Sequence, residues 1–165
     1  MLMSNDKGLD IFISVSLKYP ELNAVKYQAD EEKIYFELAL IQNIDKNVKE
    51  IFLNKLKNCL IMYHKITSTQ PSLLDLSFHE NGGVNFLRVQ RDIKTICEEE
   101  IELLLLMVSE EFNNYMLQDN SRIVIQDSLK KRLKKNLLKK INTGNAGANN
   151  FLAYRQEGKV MVFNS

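Results

Sequence analysis

Apolar residues recur at every second position in three parts of the chain, and this period predicts β-strands with one buried face. In the first part, the alternation runs from Ile34 to Leu40. In the second part, two alternating segments flank Asn81-Gly82, a pair that tolerates the positive φ of a tight hairpin turn. The pattern therefore predicts three β-hairpins, at about residues 24–41, 73–90 and 151–163.

Between the first two hairpins, apolar residues recur every three to four positions, which predicts a helix over residues 45–66 with Asp45 as its N-cap. Residues 9–19 fit a helix and a strand. We favour a short helix there, because the next two segments already form a hairpin with each other, and Pro20 would end it. The buried face predicted for the helix at 45–66 consists of Val48, Ile51, Phe52, Leu56, Cys59, Leu60, Tyr63 and Ile66.

A further helix is predicted over residues 92–118, with Asp92 as its N-cap, and its apolar residues occupy two faces. Leucines left in water on the second face would form an unusually large exposed patch, so we expect something to cover them. The first face consists of Cys97, Ile101, Leu104, Leu105, Val108, Phe112 and Tyr115. The second consists of Leu103, Leu106 and Met107, interleaved with Glu99, Glu100 and Glu110.

The segment 128–141 predicts a basic amphipathic helix that can supply this cover. It carries seven cations and no acid between residues 130 and 140, whereas residues 92–119 hold eight acids and one base. We therefore expect an antiparallel pair of these helices, within one molecule or between two copies. The leucines would supply most of the stabilisation, because exposed ion pairs contribute only about 0–1 kcal/mol each. The predicted interface residues are Leu103, Leu106, Met107, Leu129, Leu133 and Leu137.

Together these elements predict a single α+β domain over residues 1–165. Its sheet is expected to be mostly antiparallel because it is built from three β-hairpins, and three to four helices pack on one face to give two layers. Hairpin–helix units at about 24–66 and 73–118 are followed by the basic helix at 128–141 and the C-terminal hairpin at 151–163.

Composition narrows the function classes. The net charge of +1 argues against binding of nucleic acid by the whole surface, although not by a local patch. The two cysteines and two histidines lack metal-ligand spacing, so we expect reduced thiols, no metal and no cofactor. The N-terminus lacks the pattern of a signal peptide, and no apolar run approaches the roughly 20 residues of a membrane span. These observations predict a cytoplasmic protein without a membrane partner.

No catalytic constellation is visible in the sequence. His79 shares its predicted strand face with only Asp75, and no serine or cysteine has the setting of a nucleophile. We therefore predict a non-catalytic intracellular protein-interaction domain, which binds a protein partner or self-associates as a homodimer. An enzyme stays an open alternative, because catalytic groups from distant segments can meet in a fold. A cavity that holds His79 or His64 beside carboxylates would favour it.

The main alternative is a nucleic-acid-binding protein that uses the basic helix at 128–141. A lysine-rich helix can lie along phosphates, and such binding would depend strongly on salt. The anion-binding residues would be Lys130, Lys131, Arg132, Lys134, Lys135, Lys139 and Lys140.

Overall fold

A computed structural model describes residues 2–117, 127–142, 150–156 and 159–164 of the chain. These ranges form four α-helices and seven strands. The helices are α1 (Leu2–Lys18), α2 (Lys46–Ile66), α3 (Glu98–Phe112) and α4 (Asp127–Asn142). The strands are β1 (Ala24–Gln28), β2 (Lys33–Leu40), β3 (Leu74–Asn81), β4 (Val84–Asp92), β5 (Met116–Leu117), β6 (Asn150–Gln156) and β7 (Lys159–Asn164).

The described strands form one sheet in the order β3-β4-β2-β1-β6-β7, and neighbouring strands are antiparallel. β2 is central, because Phe36 pairs with Val25 of β1 on one side and with Val89 of β4 on the other. β5 pairs with Ala39 and Leu40 at the end of β2. The three predicted hairpins are confirmed as β1–β2, β3–β4 and β6–β7. The predicted two-layer α+β class is confirmed with them.

Successive residues of a strand point to opposite sides, so the sheet has a covered face, which packs against helices, and an open face. On the covered face, Phe12 of α1 packs against Tyr27 of β1 and Phe151 of β6, with 6.1 Å between ring centroids in each pair. Phe52 of α2 packs against Phe112 of α3 at 4.9 Å. The open face carries half-buried or exposed side chains, among them Lys26, Tyr35, Glu37, Arg88, Gln90, Leu152 and Tyr154.

α1 occupies the segment whose pattern fitted both a helix and a strand, and the helical prediction is correct. The helix lies very close to β1, since a Cβ atom at Gly8 would fall 2.3 Å from the hydroxyl oxygen of Tyr27. Glycine is therefore the residue that lets α1 approach the sheet. α1 ends at Lys18, before Pro20, as expected from the restriction that proline places on the preceding residue.

The predicted buried face of α2 is wrong at three positions. Val48, Ile51 and Ile66 are exposed, whereas the residues that enter the core are Phe52, Leu56, Leu60 and His64. These four residues recur at intervals of four, so α2 buries only one flank of its apolar face. The other flank faces solvent.

α3 is shorter than the helix predicted for residues 92–118, and Asp92 is not its N-cap. Asp92 ends β4, and its carboxylate accepts hydrogen bonds from the backbone N–H groups of Leu73 (3.2 Å) and Thr95 (3.1 Å). These bonds hold the chain in a turn, and the helix begins only after Cys97, which is in extended backbone. A local side-chain hydrogen bond therefore competes with the helix at this point.

The predicted pairing of the basic helix with the acidic helix inside one molecule is wrong. α4 packs against α1, where Lys134 Nζ lies 2.8 Å from Asp10 Oδ1. Leu137 is buried there and Leu133 is half-buried against the core. Burial of these two leucines positions α4 on α1. The cationic side of α4 pairs there with one acid, Asp10. Pairing between two copies stays a prediction.

Candidate functional site

A fully buried arginine lies at the end of the covered face, in phase with the apolar residues of β4. Arg91 follows Leu87 and Val89 at alternate positions, and none of the three is exposed. Its guanidinium meets the carboxylate of Glu100, in the first turn of α3, through two bonds: Nε to Oε2 at 2.6 Å and Nη2 to Oε1 at 2.9 Å. This bidentate geometry is the strongest form of the ion pair.

The remaining donors of Arg91 are also satisfied. Nη1 donates to the carbonyl oxygen of Leu73 at 2.7 Å and to the carboxylate of Asp92, and Nη2 donates to Thr95 Oγ1 at 2.9 Å. Burial lowers the pKa of Arg91, but the hydrogen bonds and charges of Glu100 and Asp92 outweigh it and raise the pKa. Burial raises the pKa of Asp92, but the Thr95 hydroxyl and Arg91 outweigh it, so this pKa is lowered. Both groups therefore stay charged inside the fold.

His64 extends this network from α2. Its Nε2 atom lies 2.7 Å from Glu100 Oε1 and 3.2 Å from Arg91 Nη2, and its Nδ1 atom lies 2.6 Å from Thr69 Oγ1. A neutral imidazole protonated at Nε2 satisfies both short contacts, because it donates to Glu100 and accepts from the Thr69 hydroxyl. The order hydroxyl, imidazole, carboxylate is that of the nucleophile, base and orienting acid in covalent catalysis.

A cavity of about 450 Å³ lies next to this relay and is lined by His64, Thr69 and Gln70, among others. The lining of this cavity includes His64 but no carboxylate, so the arrangement that would favour an enzyme is only partly present. Two further features weaken the enzyme alternative. Glu100 is already neutralised by Arg91, and the Thr69 hydroxyl also contacts Thr67 Oγ1 at 3.0 Å. We interpret the relay as a connection that joins α2, β4 and α3.

Sequence reasoning missed this network. His64 reads as a boundary residue near the end of a helix, and Glu100 reads as a solvated acid on the second face of α3. The sequence did contain one signal: Arg91 continues the alternation of buried positions that Leu87 and Val89 begin in β4. His79, the other histidine considered, is exposed on β3.

A second feature is the exposed apolar flank of α2, which we call the α2 stripe and define as Val48, Ile51, Met62 and Ile66. Their exposed fractions run from 39% at Val48 to 75% at Ile66. They share one flank of α2 in two apolar pairs, Val48 with Ile51 and Met62 with Ile66, and the exposed polar residues Lys55 and Asn58 lie between the pairs.

The structure separates the predicted interface residues. Leu106 is exposed on α3, whereas Leu103 and Met107 are half-buried against the core. Leu133 and Leu137 of α4 pack inside the molecule, so they hold α4 in place. The side chain of Leu129 lies outside the described residues.

The predicted anion-binding residues divide in a similar way. Lys131, Arg132, Lys135 and Lys139 are exposed on α4, and Lys134 is half-buried in its ion pair with Asp10. The side chains of Lys130 and Lys140 lie outside the described residues. Four cations are therefore available on one described helix.

Comparison with protein-family models, with curated proteins and with solved structures gives no match for this chain. Among the described helices, none is long and apolar enough to cross a membrane. In the same part of the chain, no three His, Cys, Asp or Glu residues are grouped so that they could hold a metal ion. Cys59 and Cys97 are free and half-buried, and Cys97 Sγ lies 3.0 Å from the Tyr63 hydroxyl.

Proposed function

We propose that the protein is a non-catalytic, cytoplasmic interaction domain that self-associates through the α2 stripe. The observation that carries this proposal is the exposure of four large apolar side chains on one flank of one helix. Burying a fully exposed side chain of this kind contributes about 1.5–3 kcal/mol, and each of these residues would contribute the share that corresponds to its exposed fraction. The cytoplasmic assignment is supported by the two free cysteines, which suit a reducing compartment.

The spacing of the α2 stripe favours a second copy as its partner. Val48 and Ile66 lie nine residues on either side of position 57, and Ile51 and Met62 lie six and five residues from it. Two antiparallel copies that cross at this position therefore bring Val48 against Ile66 and Ile51 against Met62 twice over. This self-complementarity is what a two-fold interface requires.

The polar residues at the centre of α2 fit the same arrangement. Lys55 and Asn58 are exposed between the two apolar halves of the α2 stripe. In the antiparallel pair, each Lys55 ammonium meets the side-chain carbonyl of Asn58 in the other copy. A polar pair within an apolar seam lowers stability but specifies register.

The decisive test is the oligomeric state measured by size-exclusion chromatography with light scattering. We expect a dimer for the unaltered protein and a monomer with an unchanged far-ultraviolet circular dichroism spectrum for Ile51→Glu and Met62→Glu. Lys57→Glu, on the opposite side of the same helix, is the matched control and should stay dimeric. A monomer at the highest soluble concentration of the unaltered protein overturns the proposal.

Cross-linking tests the direction of the pairing. In a Cys59→Ser background, a mixture of Ile51→Cys and Met62→Cys proteins should form a disulfide-linked dimer under mild oxidation. Either variant alone should form little. Efficient linkage of each variant with itself would indicate parallel helices and contradict the two-fold arrangement proposed.

Nucleic-acid binding through α4 is the second candidate function. It is supported by the four exposed cations on α4, whose position is fixed by the packing of Leu133 and Leu137 against the core. Lys131→Gln, Arg132→Gln and Lys135→Gln together should abolish a salt-dependent gel shift of duplex DNA, whereas Lys57→Gln and Lys65→Gln on α2 should not. Absence of any shift at low salt removes this candidate.

A further inference from the structure

The open face of the sheet contains a groove whose position follows from strand register. Ala24 of β1 lies between Glu37 of β2 and Tyr154 of β6, its direct partners across the sheet. These three side chains form one row across the sheet. Because alanine is small, the row has a gap at Ala24, and a cavity of about 410 Å³ results. The neighbouring row of side chains consists of Gln90, Tyr35, Lys26, Leu152 and Phe163.

Aromatic rings stand on both sides of this groove. Tyr35 is half-buried on β2, and Tyr154 is 41% exposed on β6, where its ring centroid lies 6.4 Å from that of the exposed Phe163. β1 separates β2 from β6, so the two tyrosines project from strands about 10 Å apart. Tyr154 faces Glu37 across Ala24, whereas Tyr35 lies in the neighbouring row, opposite Leu152 across Lys26. The two rings therefore lie at diagonal corners of the groove.

The charges on the open face favour an anionic ligand. Lys26, at the floor of the groove, makes no ion pair with any described residue, and Arg88 Nε lies 3.8 Å from Glu37 Oε2, at the outer limit of a salt bridge. Side chains that are exposed or half-buried on the described strands of this face are Lys26, Lys33, Arg88 and Lys159 among the cations and Glu37 and Asp75 among the acids. Lys33 is paired with Glu31 at 2.6 Å, which leaves Lys26, Arg88 and Lys159 against Glu37 and Asp75, and aromatic rings lie among them.

Glu37 adds a hydrogen-bond acceptor inside the groove. Its carboxylate is 21% exposed, and burial raises its pKa. With Arg88 as a distant partner, the carboxylate has acceptor capacity left for a ligand. The exocyclic amino groups of cytosine and adenine are donors that a carboxylate can bind.

We propose that this groove binds single-stranded nucleic acid. One base stacks on Tyr154 and a second base on Tyr35, and the exocyclic amino group of the first donates to Glu37, which faces Tyr154 across Ala24. Lys26 and Arg88 contact the phosphates on either side. A duplex cannot bind in this way, because its bases already stack on one another. The groove is separate from the α2 stripe and from α4, since both helices lie on the other side of the sheet.

Fluorescence anisotropy with a labelled oligocytidine RNA tests the stacking. Tyr154→Ala and Tyr35→Ala should each weaken binding by about fivefold to a hundredfold, whereas Tyr154→Phe should keep the affinity of the unaltered protein. Tyr115→Ala is the matched control, because Tyr115 is 40% exposed but lies in the 3-10 turn after α3. Far-ultraviolet circular dichroism checks that each variant is folded.

The same assay distinguishes this groove from α4 and from non-specific attraction. Neutralising Lys131, Arg132 and Lys135 should leave the affinity within about twofold, and polyglutamate should not compete. Loss of binding on α4 neutralisation but not with Tyr154→Ala overturns the assignment, and so does equal competition by polyglutamate or by duplex. Failure of the single strand to bind at low salt also overturns it.

Base preference tests the role of Glu37. The unaltered protein should bind oligocytidine or oligoadenosine more tightly than oligouridine, which lacks an exocyclic amino group. Glu37→Ala should remove this difference, and Asp75→Ala, at the far edge of the same face, should preserve it. Equal affinity of the unaltered protein for all three strands overturns the assignment of Glu37.

Discussion

Polar side chains beneath the covered face of the sheet are buried and paired, whereas those on the open face have few partners. On the covered face, Arg91, Glu100 and His64 are all buried, and each has a hydrogen-bond partner. On the open face, Arg88 has one distant partner and Lys26 has none among the described residues. Burial imposes a large desolvation cost on a charge, so only a paired network survives beneath the helices. On the open face, water solvates the charges, so they need no partner. The same residue types therefore stay available for a ligand.

The buried network also specifies how the helices sit. It joins residues of three elements, because Glu100 of α3 accepts from both His64 of α2 and Arg91 of β4. A buried ion pair is weak evidence for net stability, because well-packed apolar residues can replace it. Its effect here is to fix α2 and α3 on β4 in one arrangement.

The largest effect is expected from Arg91→Met. This change leaves Glu100 buried without its charge partner and should lower the free energy of unfolding by about 3–5 kcal/mol, measured by urea denaturation. Arg88→Met, on the same strand but the open face, should cost less than about 0.5 kcal/mol. The double variant Arg91→Met/Glu100→Leu should recover much of the loss. Equal costs for Arg91→Met and Arg88→Met would contradict the contrast between the faces.

A smaller effect is expected where α1 meets the covered face. Gly8→Ala places a Cβ atom 2.3 Å from the Tyr27 hydroxyl and should destabilise the protein by about 1–3 kcal/mol through overpacking. Combined with Tyr27→Leu, the same change should add almost nothing, because the obstructing ring is gone. A stabilising Gly8→Ala, as in an unobstructed helix, would show that α1 stands further from the sheet. Thermal and urea unfolding of the four proteins of this cycle measure the coupling.

The pH dependence of stability should differ in sign between the buried Arg91 network, which includes Asp92, and Glu37 on the open face. The pKa of Asp92 is lowered in the fold, so its contribution is present above the unfolded pKa of about 3.9 and is lost as pH falls through the folded pKa. Burial raises the pKa of Glu37, so its ionisation lowers stability as pH rises from the unfolded towards the folded value. Urea unfolding across acidic pH measures both effects. Asp92→Asn should remove the rise in the free energy of unfolding with increasing pH, and Glu37→Gln should remove the fall.

The smallest effect on stability is expected on the open face. Tyr154→Ala should lower the free energy of unfolding by less than a buried aromatic truncation does, because the side chain is already 41% exposed. Tyr27→Ala, on the covered face of the adjacent strand, should cost several kcal/mol as other buried aromatic truncations do. A large loss of stability for Tyr154→Ala would mean that the open face is part of the core. Its effect on nucleic-acid binding could then not be separated from folding.

The sequence predicted the elements whose signals are local. Asn81-Gly82 indicated the β3–β4 turn, and both Gly82 and Gly83 have positive φ. Alternation from Ile34 to Leu40 assigned the buried side of β2 correctly. The four-residue spacing of Leu133 and Leu137 predicted α4 with bounds within one residue.

The tertiary structure alone decided which neighbour each apolar or charged surface meets. Periodicity shows that a side chain favours burial, but it does not show what covers it. For this reason the flank of α2 at Ile51 was assigned to the core and is exposed, and α4 was assigned to α3 and packs on α1. The pairing of Glu100 with Arg91 and His64 depends on three elements meeting in space. No local sequence pattern predicts this contact between three elements, because the network stabilises the fold only once water has been excluded.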